Sequence, residues 1–181
     1  MSGAEPGGVA IRRLTEAEAA LRLSDLADLL VDAVAHGASV NFMAGFSHGE
    51  GLAFWRGQIP GVADRSRHLI VADDGAHLVG TVVLTLAPQP NAPHRAEIGK
   101  MLVRSDRRRQ GLGGRLLAAA ETTARGAGRT LLLLDTETGS AGDRLYRHCG
   151  WTAYGSVPGH ALTPDGRLAE TTMFYKRIAN P

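Results

Sequence analysis

The stretch R-R-R-Q-G-L-G-G-R-L-L, Arg107 to Leu117, decides how this chain is read. Three arginines run into Gln110, and glycines follow at 111, 113 and 114 before a leucine pair. The preceding A-E-I-G-K-M-L-V, residues 96–103, reads as a strand. After it Leu112, Leu116, Leu117, Ala120 and Ala124 recur at helical spacing to about Arg125. The unit is strand, tight turn, glycines, helix. A helix N-terminus carries unbonded amides and a partial positive charge, and glycines let an anion approach the backbone. Between Arg104 and Arg115 stand five arginines and one aspartate, a local net charge of +4. The stretch points to a bound phosphate.

Two familiar phosphate loops do not fit. A nucleoside-triphosphate loop needs G-x-x-x-x-G-K-S/T, and no lysine follows these glycines. The dinucleotide fingerprint G-x-G-x-x-G needs a glycine where Leu116 stands. Arg108-x-x-Gly111-x-Gly113 remains.

Working outward, Val9 to Leu14 reads as a first strand. Thr15 and Glu18 form a capping box for a helix that Gly37 stops. Residues 38–51 read as irregular, and a short helix is expected from Leu52 to Gln58. Arg67 to Ala72, a turn at Asp73-Asp74-Gly75, and His77 to Leu86 make a hairpin. Ala96 to Val103 extends this meander. Thr130 to Leu134 is a short apolar strand, Ser140 to His148 a helix, and Trp151 to Ser156 and Thr171 to Arg177 the last strands. Residues 1–8 read as a disordered tail and 9–181 as a single α+β domain, a length that can bury a core.

The 181 residues carry a formal charge of only +2, so no global field argues for nucleic acid or a membrane surface. The opening M-S-G-A-E-P-G-G lacks the features of a signal peptide, and no apolar run is long enough to span a bilayer. Cys149 is the single cysteine, which fits a reducing, cytoplasmic setting. The seven histidines show no metal-ligand spacing, so no metal is expected. The basic residues are nearly all arginine; Lys100 and Lys176 are the exceptions.

Arg108-x-x-Gly111-x-Gly113 resembles the acetyl-CoA pyrophosphate loop of the GNAT family of N-acetyltransferases. T-L-L-L-L-D at 130–135 and R-L-Y-R-H-C-G-W at 144–151 are similar to the strand and the L-Y-x-x-x-G-F/W ending that follow it in that family. The resemblance implies an α+β fold, with a central mixed, mostly antiparallel sheet of about seven strands, flanked by about four helices. Its fourth and fifth strands would splay apart. It implies acetyl-CoA as co-substrate, held by Met101, Leu102, Val103, Arg108, Arg109, Gln110, Gly111, Leu112, Gly113 and Gly114. Many members carry asparagine seven residues before the tyrosine; here Gly139 stands there, so Ser140 or backbone is expected to meet the pantetheine.

Further stretches, G-A-S-V-N-F-M-A-G-F at 37–46, L-L-L-L-D-T-E-T-G-S-A-G-D-R-L-Y at 131–146 and P-G-H-A-L-T-P-D-G-R-L at 158–168, are similar to family members that acetylate a β-lactam-containing amino-acid toxin. That resemblance implies a small amino-acid-like acceptor and direct transfer in a ternary complex. It points to Glu97 and Asp135 for proton removal and Tyr146 for protonating the leaving sulfur, with an oxyanion donor at the amide of Leu102 or Val103. Such chemistry needs an amine freed of its proton and a donor for the tetrahedral oxyanion. Structural alternatives stand beside each role: Glu97 paired with Arg95, Asp135 as a strand-end cap, Tyr146 as core. Phe42, Met43 and Trp55 are candidates for the acceptor pocket or for core. Other amines, including amino acids, polyamines, aminoglycosides and a protein N-terminus, remain open as acceptors. A non-catalytic acetyl-CoA-binding module and a polyanion binder are the competing classes. Either a monomer or a homodimer is compatible.

Overall fold

The computed structural model describes residues 8–179. The expected tail, residues 1–8, lies outside them apart from Gly8. The elements in chain order are β1 (Ala10–Arg13), α1 (Glu16–Leu21), α2 (Leu23–Ala35), α3 (His48–Ala63), β2 (Arg67–Asp73), β3 (Leu78–Leu86), β4 (Arg95–Val103), α4 (Leu112–Gly126), β5 (Leu131–Glu137), α5 (Ala141–His148), β6 (Thr152–Leu162) and β7 (Leu168–Arg177), with one 3-10 turn at Ser105–Arg107. The strands form one sheet in the order β1-β2-β3-β4-β5-β7-β6. Only β4 and β5 run parallel; the other five pairs are antiparallel.

Strands β2 and β3, at the centre of one half of the sheet, are buried on both faces. One core gathers Val79, Val82, Ala96, Ile98, Leu132 and Phe174 under Leu112, Leu116, Leu117 and Ala120 of α4. The opposite core gathers Leu69, Val71, Val83 and Leu102 under Leu26, Leu29 and Leu30 of α2 and Trp55 of α3. This explains why β2 and β3 read as near-continuous apolar runs rather than alternating ones.

Five helices flank the sheet where about four were expected, because the first one breaks at Arg22. The Thr15–Glu18 capping box is present at its start. Helix α3 is much longer than Leu52 to Gln58. Ser47 accepts from the Glu50 amide at 3.3 Å while the Glu50 carboxylate accepts from the Ser47 amide at 2.8 Å, so a second capping box starts the helix at His48. Pro60 is carried inside its last turns. Strand β5 runs three residues past its apolar stretch because β7 pairs with it as far as Glu137–Thr171. Strand β6 runs to Leu162 despite Pro158; it is the edge strand, where a missing ladder N–H is tolerated, and irregular register absorbs the extra residues.

Two features position the site. Strands β4 and β5 share only Arg95–Leu131, Ala96–Leu132 and Glu97–Leu133, and then part. Beyond Glu97 the β5-facing edge of β4 is open, while β5 stays paired to β7 on its far side. Second, the β3–β4 register slips between Thr81–Leu102 and Val83–Gly99, a bulge that sets Lys100 and Met101 against Val82 alone.

Leu116 is fully buried, and its Cδ1 lies 3.0 Å from where a Cβ on Gly80 would sit, so α4 seats tightly on β3. Leu116→Ala is expected to cost about 3 kcal/mol, which lowers Tm by roughly 6–12 °C for a domain of this size. Calorimetry of the two proteins checks this; a drop below about 2 °C would mean that α4 does not rest on this contact.

Candidate active site

The gap between β4 and β5 opens into a cleft of about 960 Å³. Thirteen of the fourteen residues singled out from sequence line it: Glu97, Met101, Leu102, Val103, Arg108, Arg109, Gly111, Leu112, Gly113, Gly114, Asp135, Ser140 and Tyr146. Gln110 is exposed and is not among the lining residues.

The loop between β4 and α4 is shaped by backbone. Gly111 caps α4 at φ 76°, and Arg109 just before it stands at φ 60°. No side chain caps the helix and its first turn holds no acid. The amides of residues 112–114 are therefore free to face an anion. The glycines divide the work differently from the sequence expectation. Gly111 supplies the left-handed turn, with open space around it. At Gly113, by contrast, a Cβ would stand 2.9 Å from Leu145 Cδ2 and 3.4 Å from Met101 Cε, so a larger residue there would have to displace side chains of α5 and β4.

The arginine cluster is also less free than its count suggests. Arg104 pairs with Asp106 at 2.7 Å, and Arg107 with Asp74 of the β2–β3 turn at 2.9 Å. Arg115 donates to the Val9 carbonyl at 2.6 Å. Arg108 makes only a 3.3 Å bond to the Val103 carbonyl, and Arg109 forms no ion pair among the described residues. These two are the loop charges left for a ligand, with Arg144 lining the far wall.

Strand β4 supplies the floor. Arg104 donates to the Val79 carbonyl at 2.9 Å, and the antiparallel ladder alternates from there. Leu102 therefore turns its backbone groups to β3, while Val103 and Met101 turn theirs to the open edge. Of the two expected oxyanion donors, the Val103 amide is the one aimed into the cleft.

Glu97 and Asp135 stand on the same sheet face across the split, since Glu97 registers with Leu133 and Asp135 follows two residues on. Both are exposed and neither forms an ion pair among the described residues. The structural alternatives fail for them: Arg95 bonds Gln89 at 3.2 Å rather than Glu97, and Asp135 lies within β5, opposite Met173, not at its end. Tyr146 is 6% exposed, packed with Trp151 and Phe174 at centroid distances of 6.1 and 5.9 Å, so it is core and cleft wall together. Burial, reinforced by the Asp135 charge, pushes its phenol well above the ordinary value. Burial likewise raises the Cys149 thiol.

Ser140 is engaged as the N-cap of α5, accepting from the Asp143 amide at 3.1 Å. Asp143, buried, accepts from the Gly139 amide at 2.7 Å and holds the turn. Of the acceptor-pocket candidates, Trp55 is wholly buried in the α2–α3 core and Met43 is exposed. Phe42 is half-buried against Phe46 and Phe54. A second cavity of about 550 Å³ adjoins the cleft; Gly37 and Glu137 line both. The Ala44 amide bonds the Pro164 carbonyl at 2.9 Å and joins the 38–47 segment to the β6–β7 turn beside it. Lys100, which the sequence reading passed over, lines the cleft too; its only signal there was being one of two lysines in an arginine-rich chain. Among the described residues no group of three His, Cys, Asp or Glu is placed to hold a metal, and no helix is long and apolar enough to cross a membrane.

The model of the Acetyltransferase (GNAT) family matches residues 33–151. Solved structures share the fold. A Salmonella typhimurium protein assigned as an acetyltransferase, solved with its cofactor acetyl-CoA, is 18% identical over 96% of both chains, with a TM-score of 0.75. A ribosomal-protein-alanine N-acetyltransferase from Brucella melitensis is 22% identical over 93% of this chain and 99% of that one, with a TM-score of 0.73. A protein provisionally assigned as a phosphinothricin N-acetyltransferase is 17% identical over 95% and 99%, with a TM-score of 0.76.

Acetyl-CoA at a hundred times its Kd is expected to add about 2.7 kcal/mol, a Tm rise of roughly 5–10 °C. Replacing Arg108 and Arg109 together by Gln is expected to raise that Kd about tenfold or more while leaving the Tm of the free protein unchanged. Calorimetric titration decides; an unchanged Kd would remove both arginines from the anion site.

Proposed function

This chain belongs to the GNAT family of acetyltransferases, and on that premise we propose that it transfers the acetyl group of acetyl-CoA to the amino group of a small amino-acid-like molecule. It is an acetyl-CoA-dependent N-acetyltransferase of the GNAT kind; the acceptor and the roles of the residues are the proposal. The observation that carries it is the pair of carboxylates, Glu97 and Asp135, without ion-pair partners among the described residues, on one face of the split whose far wall holds Tyr146.

The acceptor arrives as an ammonium with no lone pair. Glu97 and Asp135 attract it, and one of them takes its proton, directly or through water. The freed nitrogen attacks the thioester carbonyl. A C–N bond forms, negative charge collects on the carbonyl oxygen, and the Val103 amide on the open edge donates to it. The nitrogen, now positively charged, gives up a second proton to water or to the carboxylate that is still free; the carbonyl re-forms, the C–S bond breaks and the electron pair goes to sulfur. Tyr146 donates a hydrogen bond to that sulfur. Its phenol holds its proton firmly, so it steadies the developing thiolate without itself becoming tyrosinate, and the thiolate takes its proton from solvent.

A toxin- or antibiotic-like acceptor is supported by the sequence blocks at 37–46, 131–146 and 158–168, which resemble those of the tabtoxin resistance protein. A protein that shares the fold is provisionally assigned as a phosphinothricin N-acetyltransferase. The adjoining cavity, apolar at Val31, Val34 and Phe46 and polar at Glu137 and Arg167, offers room for the acceptor's side chain.

Glu97→Gln with Asp135→Asn is expected to lower turnover by about a hundredfold or more while acetyl-CoA still binds. Retained turnover would exclude both as the base. Tyr146→Phe is expected to lower kcat roughly tenfold, with the wild-type rate showing no alkaline fall near the ordinary phenol value of 10.0, because the raised group stays protonated there. An alkaline limb lost in the Phe variant would show Tyr146 to ionise in turnover.

A further inference from the structure

The bulge in β4 changes which face Lys100 occupies. Ala96 and Ile98 point into the α4-side core, and so do Met101 and Val103. The alternation therefore slips by one between Ile98 and Met101, and Leu102 points to the opposite core. Without the slip Lys100 would face α4. With it, Lys100 joins Glu97 and Asp135 on the other face of the sheet. Its backbone is left-handed at φ 46°, a conformation that a side-chain-bearing residue adopts at some cost.

The side chain is held in place. Its ammonium lies 5.8 Å from the Phe42 ring centre and 5.3 Å from that of Phe54, over two rings that meet edge to face at 5.4 Å. It forms no ion pair among the described residues. The other lysine, Lys176, reaches Glu121 at 2.7 Å and the Cys149 carbonyl at 2.8 Å. Burial lowers the proton affinity of Lys100, and the charges of Asp135 and Glu97 act in the opposite sense. One cleft thus presents a fixed cation and two carboxylates that do not neutralise one another.

A ligand that satisfies all three bears an ammonium and a carboxylate close together. We infer that Lys100 is a specificity-determining residue, binding the carboxylate of an α-amino-acid acceptor whose ammonium goes to Glu97 and Asp135. This rests on the acceptor class proposed above. It explains the bulge's placement of a lysine, and why the aromatic segment around Phe42 packs where it does.

The test uses the full chain, acetyl-CoA, and L-α-amino acids each paired with its α-carboxamide, which keeps the amine and removes the charge. Release of the free thiol gives kcat/KM for both. Comparing the acid-to-amide ratio between proteins cancels the different basicity of the two amines. The wild type is expected to favour the acids, and Lys100→Met to lower that ratio about thirtyfold, through KM for the acids. Lys100→Arg is expected to retain much of the preference. An unchanged ratio in Lys100→Met would overturn the inference. So would equal loss on acids and amides, which would make Lys100 a brace for the aromatic segment. Wild-type turnover of amides as fast as acids would overturn this inference and leave a small-amine acceptor standing. Acetyl-CoA binding with no turnover of either would overturn the proposed acceptor class and this inference together.

Discussion

Everything in this molecule that concerns chemistry depends on β4 and β5 sharing three register pairs and then separating. Parallel strands normally stay in a buried ladder, because an unpaired backbone group in the interior costs free energy. Here β5 remains satisfied by β7, and β4 by β3, so each gives up only one edge. The open edge of β4 carries backbone groups at Met101 and Val103 that are available to a ligand. The same separation admits α4 with its free N-terminal amides at the mouth and lets Tyr146 close the far wall.

The site's electrostatics are built from partial compensation. Asp74 and Asp106 tie down Arg107 and Arg104, leaving Arg108 and Arg109 at the helix mouth. At the other end Lys100 sits against the faces of Phe42 and Phe54, and Glu97 and Asp135 form no ion pair among the described residues. The cleft thus carries positive charge at the mouth of α4 and both signs of charge around Glu97, Lys100 and Asp135.

The sequence showed the glycine loop, the strand before it and the Leu-Tyr helix because each is local: spacing and turn chemistry are written in adjacent residues. Thirteen of the fourteen residues drawn from these motifs converge on one cleft. What it hid were consequences of tertiary pairing. The bulge at Lys100 exists only in relation to Val82, and nothing in A-E-I-G-K-M-L-V announces it. Gly113 looks like a phosphate glycine but answers to Leu145, more than thirty residues on. Strand β6 continues beyond the expected Ser156 through Pro158 and Gly159, which an edge strand tolerates and a central one does not. The start of α3 was legible, since Ser47 and Glu50 have capping-box spacing, but the irregular look of the segment before it obscured them.

Backbone hydrogen exchange with and without acetyl-CoA tests the account most directly, because it reads the open strand edge and the helix mouth residue by residue. The account predicts slowed exchange at Met101, Val103 and residues 112–114, with β2 amides at 69–72, already paired on both sides, unaffected. Protection spread evenly over the sheet, or absent from the β4 edge while the ligand is bound, would contradict the claim that acetyl-CoA lies in the gap between β4 and β5.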